Sequence, residues 1–127
     1  MAGIHFDLYA AHGYNHIPTI GSLFLFNGAV GVALGLALLA TPGRLVVLPA
    51  LATAVFLAGT IGGLALSVNV GLFGFTETSR APLFDPALAV EAAGIVVGLA
   101  LAATALAPRR RRNGPGPLRR RRPNSVH

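Results

Sequence analysis

Cysteine, lysine and tryptophan are absent from this 127-residue chain, and its one methionine is Met1. Without thiols there is no disulfide, no zinc-thiolate site, no cluster ligation and no thiol catalysis. A soft copper site would have a single thioether to draw on. Acids are scarce as well. Asp7, Glu77, Asp85 and Glu91 make four, against ten basic residues, all of them arginine. Charged residues amount to 11% of the chain and hydrophobic ones to 54%. A soluble domain of this size needs charged faces on its helices, whereas these helical candidates are apolar all round, as lipid demands. Catalytic signatures are missing too: no G-x-S-x-G, no H-E-x-x-H, no Walker loop and no dinucleotide-binding glycine fingerprint. The chain reads as an integral membrane protein without an enzymatic motif. Its Ala, Gly, Leu, Val and Arg bias points to a GC-rich bacterial genome and hence to a plasma membrane.

What is present is organised in three apolar runs, which predict an all-α bundle of three transmembrane helices over about 18–40, 47–70 and 86–107. The first covers roughly 34 Å at 1.5 Å per residue, enough for a hydrocarbon core of about 30 Å. Thr41-Pro42-Gly43-Arg44 breaks it and suits a tight connection between antiparallel helices. Pro49 fits the first turn of the second helix, so the start of that helix stays open between Leu45 and Pro49. Gly71 to Asp85 reads as a turn followed by a polar loop, with Phe73, Phe75 and Phe84 near headgroup level alongside Tyr9 and Tyr14. Asp85-Pro86 reads as an N-cap followed by proline at the first helical position.

Residues 1–17 lack the basic start and apolar core of a secretory signal and are expected to be retained. They predict a short amphipathic interfacial helix, with His5, Tyr9, His12 and His16 on one stripe. Gly13 weakens its continuity, and Pro18 marks the entry to the next helix. At the other end, residues 108–127 hold two blocks, Arg109, Arg110, Arg111, Arg112 and Arg119, Arg120, Arg121, Arg122, separated by Gly and Pro. Nothing there can build a core, so a disordered tail is expected. Its default partner is the anionic lipid of the cytoplasmic leaflet; interleaved aromatics or a folded reader for nucleic acid are missing. Counting arginines near helix ends puts Arg44 and the tail in the cytoplasm and the N-terminus outside.

Each span carries a pair of glycines four residues apart: Gly31 and Gly35, Gly59 and Gly63, Gly94 and Gly98. Such pairs allow close backbone approach between helices in lipid, within a bundle or between copies. Asn27, Thr53, Thr60 and Ser67 are the polar residues placed to add interhelical hydrogen bonds.

Glu91 is the residue most in need of explanation, because an acid facing lipid near mid-membrane costs about 2.5–3.5 kcal/mol. It should face the bundle or a wet cleft. One reading is a carboxylate near a helix N-terminus, served by the dipole and by water, Arg80, Ser67 or Asn69. The other is a proton-accepting or cation-coordinating group. His12 and His16 at i and i+4, with His5 further back and Glu91 from another helix, have the residue types of a metal or haem site. Histidines and tyrosines lining the headgroup region of a surface helix are the simpler account of that spacing.

The chain resembles a group of small multi-pass membrane proteins of actinobacteria. The resemblance rests on His16-Ile17-Pro18, on Gly21-Ser22-Leu23-Phe24-Leu25-Phe26-Asn27, on Gly59 to Ser67 running into Val70-Gly71-Leu72-Phe73-Gly74 and Glu77, and on Glu91-Ala92-Ala93. It covers roughly 16–106 and implies three or four helices in a membrane, without implying a reaction. Two functions are therefore carried forward. The first is a non-enzymatic structural or accessory protein that packs with itself or with a larger membrane complex and needs no cofactor. The second is a metal- or haem-binding or proton-coupled transport element built from His5, His12, His16 and Glu91, which needs the N-terminal helix to fold back over the bundle.

Overall fold

The computed structural model describes residues 1–81 and 83–108, so the arginine tail lies outside the described residues. Among the described residues four α-helices follow one another: α1 Ala2–Ala11, α2 Ile20–Ala40, α3 Val47–Asn69 and α4 Phe84–Leu106. Among the described residues there is no β-strand, only a single bridge between Leu72 and Phe75. Three of the helices, α2, α3 with its preceding turn, and α4, are long and apolar enough to cross a membrane. The protein is an all-helical, multi-pass membrane protein. Large apolar side chains such as Leu39 and Val55 cover its outer surface instead of filling a core, the distribution that lipid tails tolerate.

The spans alternate in direction, giving the bundle two distinct ends. At the hairpin end, a 3-10 turn over Gly43–Val46 leads without a break into α3. Pro49 falls in the first turn of α3, where its missing N–H costs nothing. Arg44 reaches across from that turn, its guanidinium donating to the carbonyls of Ala105 at 3.3 Å and Leu106 at 3.1 Å. These are orphan acceptors at a helix C-terminus, where a cation also meets the negative end of the dipole.

At the loop end, Leu72, Phe73, Gly74 and Phe75 make a two-residue turn closed by Leu72 N to Phe75 O at 2.6 Å and Phe75 N to Leu72 O at 2.9 Å. Phe73 and Gly74 both have positive φ, 51° and 78°, the signature of a type I′ turn. The helix after this loop starts earlier than Asp85-Pro86 implied. Leu83, not Asp85, precedes α4, and Asp85 lies in the first turn. An acid there still meets the positive end of the dipole, and Pro86 still sits where no N–H partner is needed.

The helices pair unequally. α3 and α4 pack along their length, with Ala50, Ala54 and Leu57 on one side and Gly94, Gly98 and Ala102 on the other. A methyl at Gly98 would stand 2.9 Å from the Ala50 carbonyl oxygen, and one at Gly94 would collide with the Leu57 side chain. α1 runs antiparallel to α2: Tyr14 lies against Gly21, the Phe6 ring against Gly28, and Met1 with Ala2 against Gly31. The short N-terminal helix thus folds back along the loop-end half of α2. By contrast, Gly35, Gly59 and Gly63 have no neighbour within 4 Å of where a Cβ would be.

Candidate functional site

Burial of polar groups singles out one region. His5, Ser67, Glu77 and Glu91 are buried, and all four line one cavity of about 450 Å³ at the loop end. α1 and α2 form one wall and α3 and α4 another, while the loop after α3 forms the roof.

Glu91 lies seven residues after Phe84, roughly 10 Å along the axis of α4, and is 3% exposed. Across from it, α1 presents His5, whose Nε2 lies 3.9 Å from Glu91 Oε1. That separation permits an ion pair or a proton shared through small movements of either side chain. Two contacts fix the imidazole. Its Nδ1 sits 3.4 Å from the Met1 carbonyl oxygen, and its ring lies 5.4 Å from that of Phe24 on α2. Burial holds His5 below the ordinary histidine value, with the Met1 carbonyl opposing that shift and the Met1 amino group adding to it. The same amino group acts electrostatically on Glu91.

The roof is tied down by a second carboxylate, Glu77. Tyr14 donates its hydroxyl to Glu77 Oε2 at 2.6 Å, and Thr78 N–H donates to Oε1 at 2.9 Å. The Glu77 N–H donates in turn to the Ser67 carbonyl at 3.2 Å, binding the loop to α3. Tyr14 stacks on Phe24 at 4.6 Å and meets Phe75 edge-on at 6.0 Å. Its phenol is held well above the ordinary tyrosine value, first by burial and then by the hydrogen bond to Glu77 and that group's charge. Tyr14 therefore stays a donor at neutral pH.

Comparisons with protein-family models, curated proteins and solved structures give no match. Function must therefore be argued from this site alone.

Of the residues singled out from sequence, the structure brings His5, Asn27 and Glu91 to one cavity, with Gly59 and Gly63 also in its wall. It does not bring His12 or His16 there. His12 caps the end of α1 and lies 3.3 Å from exposed Asp7, and His16 is exposed in the 3-10 turn Tyr14–His16. The stripe is broken at Gly13, whose φ of 81° ends the helical register. Among the described residues, no three His, Asp or Glu side chains converge as a metal site would require. The candidates named as neighbours of Glu91 also sort differently. Arg80 is exposed, and the Asn69 amide donates to its own helix at Ala65 O, 2.7 Å away. Thr53, read as an interhelical donor, bonds instead to Pro49 O within α3 at 2.8 Å, whereas the Thr60 hydroxyl lies beside Glu91 of α4 as well as 2.8 Å from Leu57 O of its own helix.

Tyr14 and Glu77 carry no mark in the sequence of being partners. They are 63 residues apart, and each has the composition of a surface position. Phe75, beside Glu77, was the available hint: it too turns inward against Tyr14 instead of lying at headgroup level.

Proposed function

We propose that this chain is a non-enzymatic accessory protein of a bacterial plasma membrane that binds a small molecule in the loop-end cavity and exchanges a proton there through His5 and Glu91. One observation carries the reading: a carboxyl 3% exposed and an imidazole 7% exposed, on different helices, lie 3.9 Å apart on the wall of a cavity. Ionisable groups at membrane depth are costly, and a pair of them on a cavity wall is the arrangement that proton-linked binding uses. The cavity volume falls within the roughly 300–1,000 Å³ of small-molecule sites. This keeps the proton-linked part of the second sequence reading; among the described residues, His5 is the histidine beside Glu91. We place the N-terminus and the cavity outside and Arg44 in the cytoplasm, on the positive-inside rule, and group the chain with the small actinobacterial proteins it resembles.

Association with itself or with a larger complex is a second reading, favoured by α2. Its hairpin-end half presents Leu36 and Leu39, 61% and 87% exposed, and Gly35 between open spaces.

The proton-exchange reading is tested by isotope-edited infrared titration of the Glu91 carboxyl in liposomes, with Glu91→Gln identifying the band. His5→Asn should move its midpoint while leaving the fold intact. A midpoint indifferent to His5 would refute the pairing.

A further inference from the structure

The cavity has a chemical character beyond its ability to take a proton. Two carboxylates line it, Glu77 and Glu91, and among the described residues no arginine does. Glu77 is already held by Tyr14 and Thr78. Glu91 has the His5 imidazole within ion-pair reach, and the Thr60 hydroxyl beside it donates to Leu57 O. Aromatic side chains share the lining with the two acids, among them Phe24, Phe56, Phe75 and Tyr14. Much of the remaining wall is apolar, with Leu8, Ile20, Leu23 and Leu64 among its residues, and Asn27, Thr60 and Ser67 add neutral polar groups. An acid with spare acceptor capacity, in an aromatic and apolar enclosure, suits a positive centre carried on an apolar body.

We infer that the cavity takes a lipophilic organic cation, a small aromatic or alkyl ammonium whose charged centre lies against the Glu91 carboxylate and whose apolar part packs on Phe24 and Phe56. This rests on the proton-exchange reading above and names its ligand. Entry of the cation is balanced by loss of one proton from the His5 and Glu91 pair to water at the loop end, so the site keeps its net charge. The other groups facing the pair are the Met1 amino group on the same helix as His5, the Tyr14 phenol and the Glu77 carboxylate. From α2 and α3 the facing polar groups are Asn27, Thr60 and Ser67, none of which titrates. Proton and cation therefore compete for Glu91, and affinity rises as pH rises through its titration.

The test uses the full chain in lipid nanodiscs, with benzyltrimethylammonium as the cation and neopentylbenzene as its neutral isostere. Calorimetry in two buffers of different ionisation enthalpy should give one cation bound and about one proton released, with affinity rising about tenfold per pH unit while the pair titrates. Glu91→Gln should weaken binding at least tenfold, Arg44→Ala at the far end should not, and the isostere should fail to displace the cation. Equal competition by the isostere would overturn the inference, because the wild-type cavity would then be reading shape and not charge. Unchanged affinity in Glu91→Gln, or no cation binding to wild-type protein, would overturn it as well. A carboxyl midpoint that still depends on His5 in such a case would leave the proton-exchange reading standing and remove only the cation.

Discussion

The same spacing of glycines, four residues apart, has opposite consequences on the two helices of the α3–α4 pair. On α4, Gly94 and Gly98 meet Leu57 and the backbone of Ala50, so the missing side chains let the helices touch. On α3, Gly59 and Gly63 face no atom within 4 Å and lie in the cavity wall, so the missing side chains leave room. Position relative to the partner decides which. Below the level of Glu91 the α4 face meets small residues, Ala50 and Ala54, and closes; above it, α1 and the loop hold polar groups over the gap, and the bundle stays open. A bilayer offers no hydrophobic drive to collapse that gap, so close contact and cavity coexist in one short pair of helices.

Four experiments would break or sharpen the comparison. The largest effect should come from Gly98→Val, which forces side-chain atoms against the Ala50 carbonyl. Overpacking of this kind should cost about 3 kcal/mol, read by steric trapping or by reversible unfolding in mixed micelles. Next is Tyr14→Phe, which removes the phenol donor from Glu77 at the buried roof. A lost hydrogen bond to a charged acceptor should cost about 1.5 kcal/mol, and hydrogen exchange should rise in the loop after α3 while α3 and α4 near Gly98 stay protected. Alkaline titration probes the same contact without mutation. Tyr14 has a folded-state value above the ordinary value of about 10, so its stabilisation is complete below pH 10 and is lost as pH rises through that higher value. Tyrosinate absorbance compared with that of Tyr14→Phe should show Tyr14 ionising together with opening of the roof. The smallest effect belongs to Gly59→Ala. With open space at that position, stability should stay within about 0.5 kcal/mol of wild type, and the cavity should narrow.

Much of the fold was legible because lipid imposes few options. Length and hydropathy placed α2 and α3 to within a residue or two, since an apolar run must end where backbone groups again find water or a cap. α4 began two residues early because a left-handed Leu83, not the Asp85 side chain, sets its entry. The inward aspect of Glu91 was legible for an energetic reason: facing lipid would cost too much. The site around it was legible in part only. His5 could be nominated, but the stripe containing His12 and His16 assumed a helix that Gly13 interrupts. Tyr14 and Glu77 were invisible as a pair, because a contact that closes over the whole of α2 and α3 leaves no trace in local spacing.

The measurement that bears most directly on the account is the side-chain nitrogen spectrum of histidine in isotopically labelled protein in lipid, compared between wild type and Glu91→Gln. A buried imidazole 3.9 Å from that carboxyl should shift its Nε2 resonance and its titration on removal of the acid, while the resonances of exposed His12 and His16 stay in place. If the His5 resonance and its titration are unchanged by Glu91→Gln, the pairing on which the site is built does not exist.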